Sequence, residues 1–74
     1  MRPVKSAWHA TKARLVIAAL QRIGWRIKRQ KGSHQTLARP GWPNYVFAFH
    51  DKVEISPVAM AKIAEKTGLR PEDL

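Results

Sequence analysis

Hydrophobic positions in the first third of the chain recur at helical spacing. In "TKARLVIAALQRIGW", Leu15, Val16, Ala19, Leu20 and Ile23 mark one face, while Lys12, Arg14, Gln21 and Arg22 fall elsewhere. This pattern predicts an amphipathic helix with Thr11 as its N-cap. Gly24 follows the last periodic residue, where a left-handed C′ position ends a helix. Residues 1–10, with Pro3, read as an extended lead-in.

From Trp25 the period changes to two. "WRIKRQ" alternates Trp25 and Ile27 with Arg26 and Lys28, the pattern of a half-buried strand. "KGSH" then supplies a tight turn and "QTLAR" a second short strand. The prolines, glycine and asparagine of "PGWPN" make a loop, and "YVFAF" is a third strand rich in aromatic and β-branched residues.

The helical period returns in "ISPVAMAKIAEKTGL". Ser56 is placed as N-cap and Pro57 at N1, where its missing N–H costs nothing. Ile55 and Met60 occupy the hydrophobic-staple positions, and Met60, Ile63, Ala64 and Thr67 share a face. Gly68 ends the helix, with Leu69 placed to fold back on its last turn. The order is α-β-β-β-α. It predicts a two-layer α+β fold, a three-stranded antiparallel sheet with both helices on one face, forming a single domain over residues 1–74.

Composition narrows the partners. Fourteen Lys and Arg against five Asp and Glu give a net charge of +9, which favours a polyanion: nucleic acid, an acidic protein or anionic lipid. There are no cysteines, so disulfides, thiolate nucleophiles and cysteine-rich zinc sites are excluded. "MRPVKSAWHATKARL" lacks the apolar run of a signal peptide, and "LVIAAL" is far too short to cross a bilayer. A soluble cytoplasmic protein without a membrane partner is expected.

Candidate chemistry gathers around the turn. Arg22, Arg26, Lys28, Arg29, Lys31 and Arg39 fall in an interval that contains no acid. A charge run of this kind is often only a solvated face. Here it surrounds a hairpin and is flanked by Trp25, Trp42 and Tyr45, and basic residues follow a phosphate backbone while exposed rings stack on unpaired bases. Trp25 is better placed for the core and Trp42 for exposure. Arg26, Lys28, Arg29, Lys31, Arg39 and Trp42 are therefore the candidate RNA contacts, together with Gly32 and Ser33, whose backbone N–H groups could approach a phosphate.

His34 by spacing alone is an ordinary turn residue, with no triad in reach. Its neighbours Lys28, Arg29 and Lys31 disfavour a further positive charge, and a neutral imidazole can serve as a general base. RNA carries its own nucleophile in the 2′-OH, so cleavage by this route needs a base, an acid and charge stabilisation, without a metal. "FHDKVE" places His50, Asp51 and Glu54 close together, as ligands of a divalent ion or, more simply, as a polar connection. The simpler reading is adopted, with no metal and no cofactor expected.

"ALQRIGWRIKRQKGSHQTLARPG", followed by "FAFH" and "MAKIAEKTGLRPEDL", resembles the HicA toxins of bacterial toxin–antitoxin systems. The resemblance runs from about Lys12 to Leu74, and its most specific part is a helix ending in Gly-aromatic, a basic strand, then Gly-Ser-His. It implies a double-stranded-RNA-binding-domain-like fold, endoribonuclease cleavage of mRNA, and neutralisation by a HicB-type antitoxin. It also places the family's essential histidine on His34, with Gly32 and Ser33 completing the motif. The general acid stays open among His50, Tyr45 and a lysine. The alternative is a module of the same fold that binds RNA without cutting it.

Overall fold

The computed structural model describes residues 8–74. The prediction for the lead-in therefore lies mostly outside the described residues, although Trp8, at its end, is buried in the core. Along the chain come β1 (Thr11–Lys12), α1 (Ala13–Arg22), β2 (Arg26–Lys31), β3 (His34–Ala38), β4 (Tyr45–Phe47), β5 (Glu54–Ile55) and α2 (Pro57–Thr67). A 3-10 turn at Pro71–Asp73 ends it. Strands β2, β3 and β4 form an antiparallel sheet in that order, and β1 pairs with β5 in a separate two-stranded ribbon.

Helix α1 starts one residue later than expected, with its N-cap at position 12 in place of Thr11. Thr11 is in β1, where its hydroxyl donates to the His9 carbonyl, and the N-cap is Lys12 without a side-chain cap. The first helical N–H groups find backbone partners instead: Ala13 donates to the Val53 carbonyl at 2.8 Å and Arg14 to the Asp51 carbonyl at 3.2 Å. The helix is thus capped by a distant turn, which local patterning does not register. Its inward stripe is Ala13, Val16, Ala19 and Leu20. Leu15 is exposed, because it lies about 100° round the helix from Val16, off that stripe. At the other end, Gly24 N–H donates to the Gln21 carbonyl and Trp25 N–H to the Leu20 carbonyl, the paired bonds of a Schellman ending.

Helix α2 follows its punctuation closely. Ser56 Oγ accepts from the Ala59 N–H at 3.2 Å, Pro57 takes N1, and Ile55 and Met60 are both buried. Gly68 ends the helix at φ +76°, and a Cβ there would come within 2.7 Å of Trp42 Cη2. Gly68→Ala is therefore expected to cost about 1–2 kcal/mol from the left-handed backbone alone, and more if the indole cannot shift. Thermal melts of the variant check this: a drop limited to the backbone cost would show that the ring moves freely, and an unchanged midpoint would contradict the prediction.

The core joins both helices to one face of the sheet. Val16, Ala19 and Leu20 of α1 and Met60 and Ile63 of α2 are buried with Leu37 and Phe47 of β3 and β4. Trp25 is buried at the junction, and its Nε1 donates to the Thr67 carbonyl at 3.1 Å. This bond ties the start of β2 to the end of α2. Among the described residues no helix packs on the other sheet face, and Val46 is 52% exposed.

Strand β2 corrects the sequence expectation. It is exposed along its whole length, Ile27 included, rather than half-buried. Two features account for this: β2 is an edge strand, and the register shifts between Ile27 and Arg29, which breaks the strict alternation at Lys28. The third strand is also shorter than predicted, ending at Phe47, with Phe49 packed edge-on against it at a centroid distance of 5.4 Å. The β1–β5 ribbon was not predicted, since two-residue strands carry too little pattern to see.

Candidate nucleic-acid interface

The β2–β3 hairpin positions most of the candidate residues. Its turn is Gly32–Ser33, with Lys31 paired to His34, Gln30 to Gln35 and Arg29 to Thr36. Gly32 has φ +60° and Ser33 a negative φ, as a type II′ turn demands with glycine at its first central position. Among the described residues no heavy atom lies within 4 Å of where a Gly32 Cβ would be, so the backbone at the tip is open to an approaching group.

Register assigns the faces. Leu37 and Phe47 point into the core, and alternation places Gln35 with them and Gln30 across from it. His34, Lys31, Arg29, Thr36 and Arg26 consequently belong to the opposite, helix-free face. His34 is the first residue of β3 and is exposed, as are Arg26, Lys28, Arg29 and Lys31. Across the strands, Lys31 and His34 are direct partners, with Cβ atoms of such pairs about 5 Å apart.

Among the described residues these cations are not neutralised from within. Among the described residues the ion pairs are those of Arg70 with Glu72 and with Asp73, so Arg26, Lys28, Arg29 and Lys31 face solvent without a carboxylate partner. A trough of about 600 Å³ runs along the bulged part of β2, lined by Arg26, Ile27, Lys28 and Ala38.

The structure separates other candidates from this cluster. Arg39 follows the far end of β3, about 16 Å along the strand from His34, and Arg26, opposite Ala38, stands at that same end on the helix-free face. The Arg39 guanidinium lies over the Trp42 ring, 5.1 Å from the centroid, and its side chain packs beside Gly24. Trp42 is 37% exposed, edge-on to Trp25 at 5.9 Å and in contact distance of Gly68. Both residues therefore have packing partners at the opposite end of the sheet from the turn. Tyr45 is half-buried opposite Leu37, and burial raises the pKa of its phenol, holding the hydroxyl protonated.

His50 and Asp51 line a groove of about 300 Å³ at the hairpin end, together with the Gly32–Ser33 turn, Gln30 and Gln35. His34 is not among its lining residues. Sequence reading passed over Gln30 and Gln35, although a two-residue turn at Gly32–Ser33 already pairs them and turns both toward the same face. Among the described residues no group of three or more His, Cys, Asp or Glu is arranged to hold a metal ion. Also among them, no helix is long and apolar enough to cross a membrane.

The fold and its exposed basic hairpin define an α-β-β-β-α domain of the double-stranded-RNA-binding-domain-like class. Residues 13–69, from the start of α1 to just past α2, match the family model for the HicA toxin of bacterial toxin–antitoxin systems. The chain belongs to that family of toxins. No curated protein and no solved structure matches it.

Proposed function

We propose that this protein is the toxin of a bacterial toxin–antitoxin pair, an endoribonuclease that cuts mRNA with His34 as general base. The observation that carries the reading is the placement of an exposed His34 beside Lys31, at the tip of a helix-free face whose cations have no described carboxylate partner. Family membership supplies the toxin class.

That placement supports the following reaction. His34 takes the proton of a ribose 2′-OH, and the oxygen attacks the adjacent phosphorus. The bond from phosphorus to the 5′-oxygen breaks as a 2′,3′-cyclic phosphate forms, and the leaving oxygen collects a proton from an acid. Lys31, directly across from His34, stabilises the charge that builds on the phosphate, and Arg29 extends the same field. The open backbone at Gly32 and Ser33 lets N–H groups approach the phosphate oxygens. Arg26, Lys28 and the trough beside them hold the strand on one side of the cut. Arg39 and Trp42 contribute contacts only if the bound strand extends to the far end of the sheet.

A HicB-type antitoxin would act by covering this face. An acidic surface docked on Arg26, Arg29 and Lys31 neutralises the cations and blocks access to His34 together.

Incubating the purified protein with labelled RNA in EDTA tests the proposal. Discrete cuts ending in cyclic phosphates are expected, whereas bound but intact RNA would favour a binding module of the same fold. Arg29→Gln and Lys31→Gln are each expected to flatten the salt dependence of binding. In single-stranded RNA a lost phosphate contact lowers the log–log slope by about 0.7. An unchanged slope in both variants would remove these two residues from the interface.

A further inference from the structure

We propose that the groove lined by Gln30, Gln35, Phe49 and Asp51 is a nucleobase pocket that selects guanine beside the cleaved linkage, a proposal that rests on the ribonuclease reading above. The groove lies on the other side of the hairpin from His34, yet the Gly32–Ser33 turn lines it and immediately precedes His34 in the chain. A strand of RNA passing over the turn can thus present a phosphate to one face and a base to the other.

The chemistry of the lining fits a base and not a phosphate. In a chain of net charge +9, this groove has a carboxylate and, among the described residues, no Lys or Arg in its lining. Its volume of about 300 Å³ is at the small end for a ligand site. Phe49 is half-buried and braced edge-on against Phe47, so its ring is a fixed surface on which a base can stack. Gln30 and Gln35, paired across the strands, offer amide donors and acceptors.

Asp51 sets the preference. Its carboxylate accepts through two oxygens side by side, and guanine is the one RNA base with two adjacent donors, N1–H and the N2 amino group, on its pairing edge. Adenine and cytosine each place a ring-nitrogen acceptor next to their amino donor, and uracil flanks its single N3–H with two carbonyls. The backbone around Asp51 is held in place: its carbonyl accepts from Arg14 N–H at 3.2 Å, and the His50 carbonyl accepts from Val53 N–H at 3.0 Å. The carboxylate is therefore carried on a turn anchored to the start of α1, as a preorganised reader should be.

Fluorescence anisotropy with 2′-O-methylated RNA pentamers tests this, because they bind without being cut. Four oligomers differing only in one central base are compared on the wild-type protein, Asp51→Asn and Phe49→Leu. Wild type is expected to bind the guanine oligomer about tenfold more tightly than the other three. Asp51→Asn should abolish that preference while keeping the affinity for the others, and Phe49→Leu should weaken all four. Equal binding of the four by wild type, or a guanine preference that persists in Asp51→Asn, overturns the pocket. Cleavage of unmodified RNA run in parallel would then show the ribonuclease reading still standing. Absence of any RNA binding overturns both.

Discussion

Replacing His34 with alanine is expected to abolish RNA cleavage and growth arrest while leaving the fold and RNA affinity in place. Removal of a general base typically costs about 10²–10⁴ in rate. The side chain is exposed, at the first position of β3, and lies outside the buried core cluster. Its strand pairing with Lys31 is made by backbone and survives the change. Stability should therefore move by less than about 0.5 kcal/mol, as for other exposed positions. Cleavage gels, thermal melts and an anisotropy titration on one preparation separate the three effects. Growth arrest unchanged by His34→Ala would exclude a catalytic role for this residue.

Trp25→Ala is expected to produce the largest loss of stability. The indole is 1% exposed among residues of both helices and the sheet, and truncating a buried aromatic costs about 3–5 kcal/mol. In addition it leaves the Thr67 carbonyl without the indole N–H that it accepts at 3.1 Å. A domain of this size has a small margin, so much of the chain should be unfolded at room temperature. Trp25→Phe keeps most of the packing and loses the hydrogen bond. It should therefore fall between, about 1–3 kcal/mol below the native protein. Because Trp25 immediately precedes β2, RNA binding should fall in step with the folded fraction. Circular dichroism melts of both variants check this ordering. A Trp25→Ala melt within a few degrees of native would mean that the junction repacks easily.

The helices and the hairpin were legible in the sequence because their signals are local. Ser56, Pro57 and Gly68 mark the ends of α2 by their own backbone chemistry, and Gly24 does the same for the end of α1. The Gly32–Ser33 turn likewise follows from glycine at the first central position of a two-residue loop. The start of α1 differs from the expected one because its caps are carbonyls of Val53 and Asp51, some forty residues away. The exposure of β2 was also hidden, since alternation predicts two faces but not which strand stands at the edge.

For the candidate site, charge and the Gly-Ser-His motif point to the turn end of the hairpin. What they left out was side. The turn alone pairs Gln30 with Gln35, but the register is needed to show that this pair lies on the face of Leu37 while Arg26, Arg29, Lys31 and His34 share the other. Arg39 and Trp42 looked equivalent to the rest in a list of basic and aromatic residues. In three dimensions they are engaged with each other and with Trp25 and Gly68 at the far end. The separation of His50 from the helix-free face likewise arises from the turn at residues 50–53, which its own residues do not announce.

The central claim is that His34 activates a nucleophile carried by the RNA itself. It is tested most directly by mapping a cut site, then replacing the single ribose on the 3′-oxygen side of that linkage with 2′-deoxyribose. Cleavage at that linkage should cease, while a second cut site elsewhere in the same RNA continues to be cut at its usual rate. Undiminished cleavage at the deoxy-substituted linkage would contradict the account, because no 2′-oxygen would be there to attack.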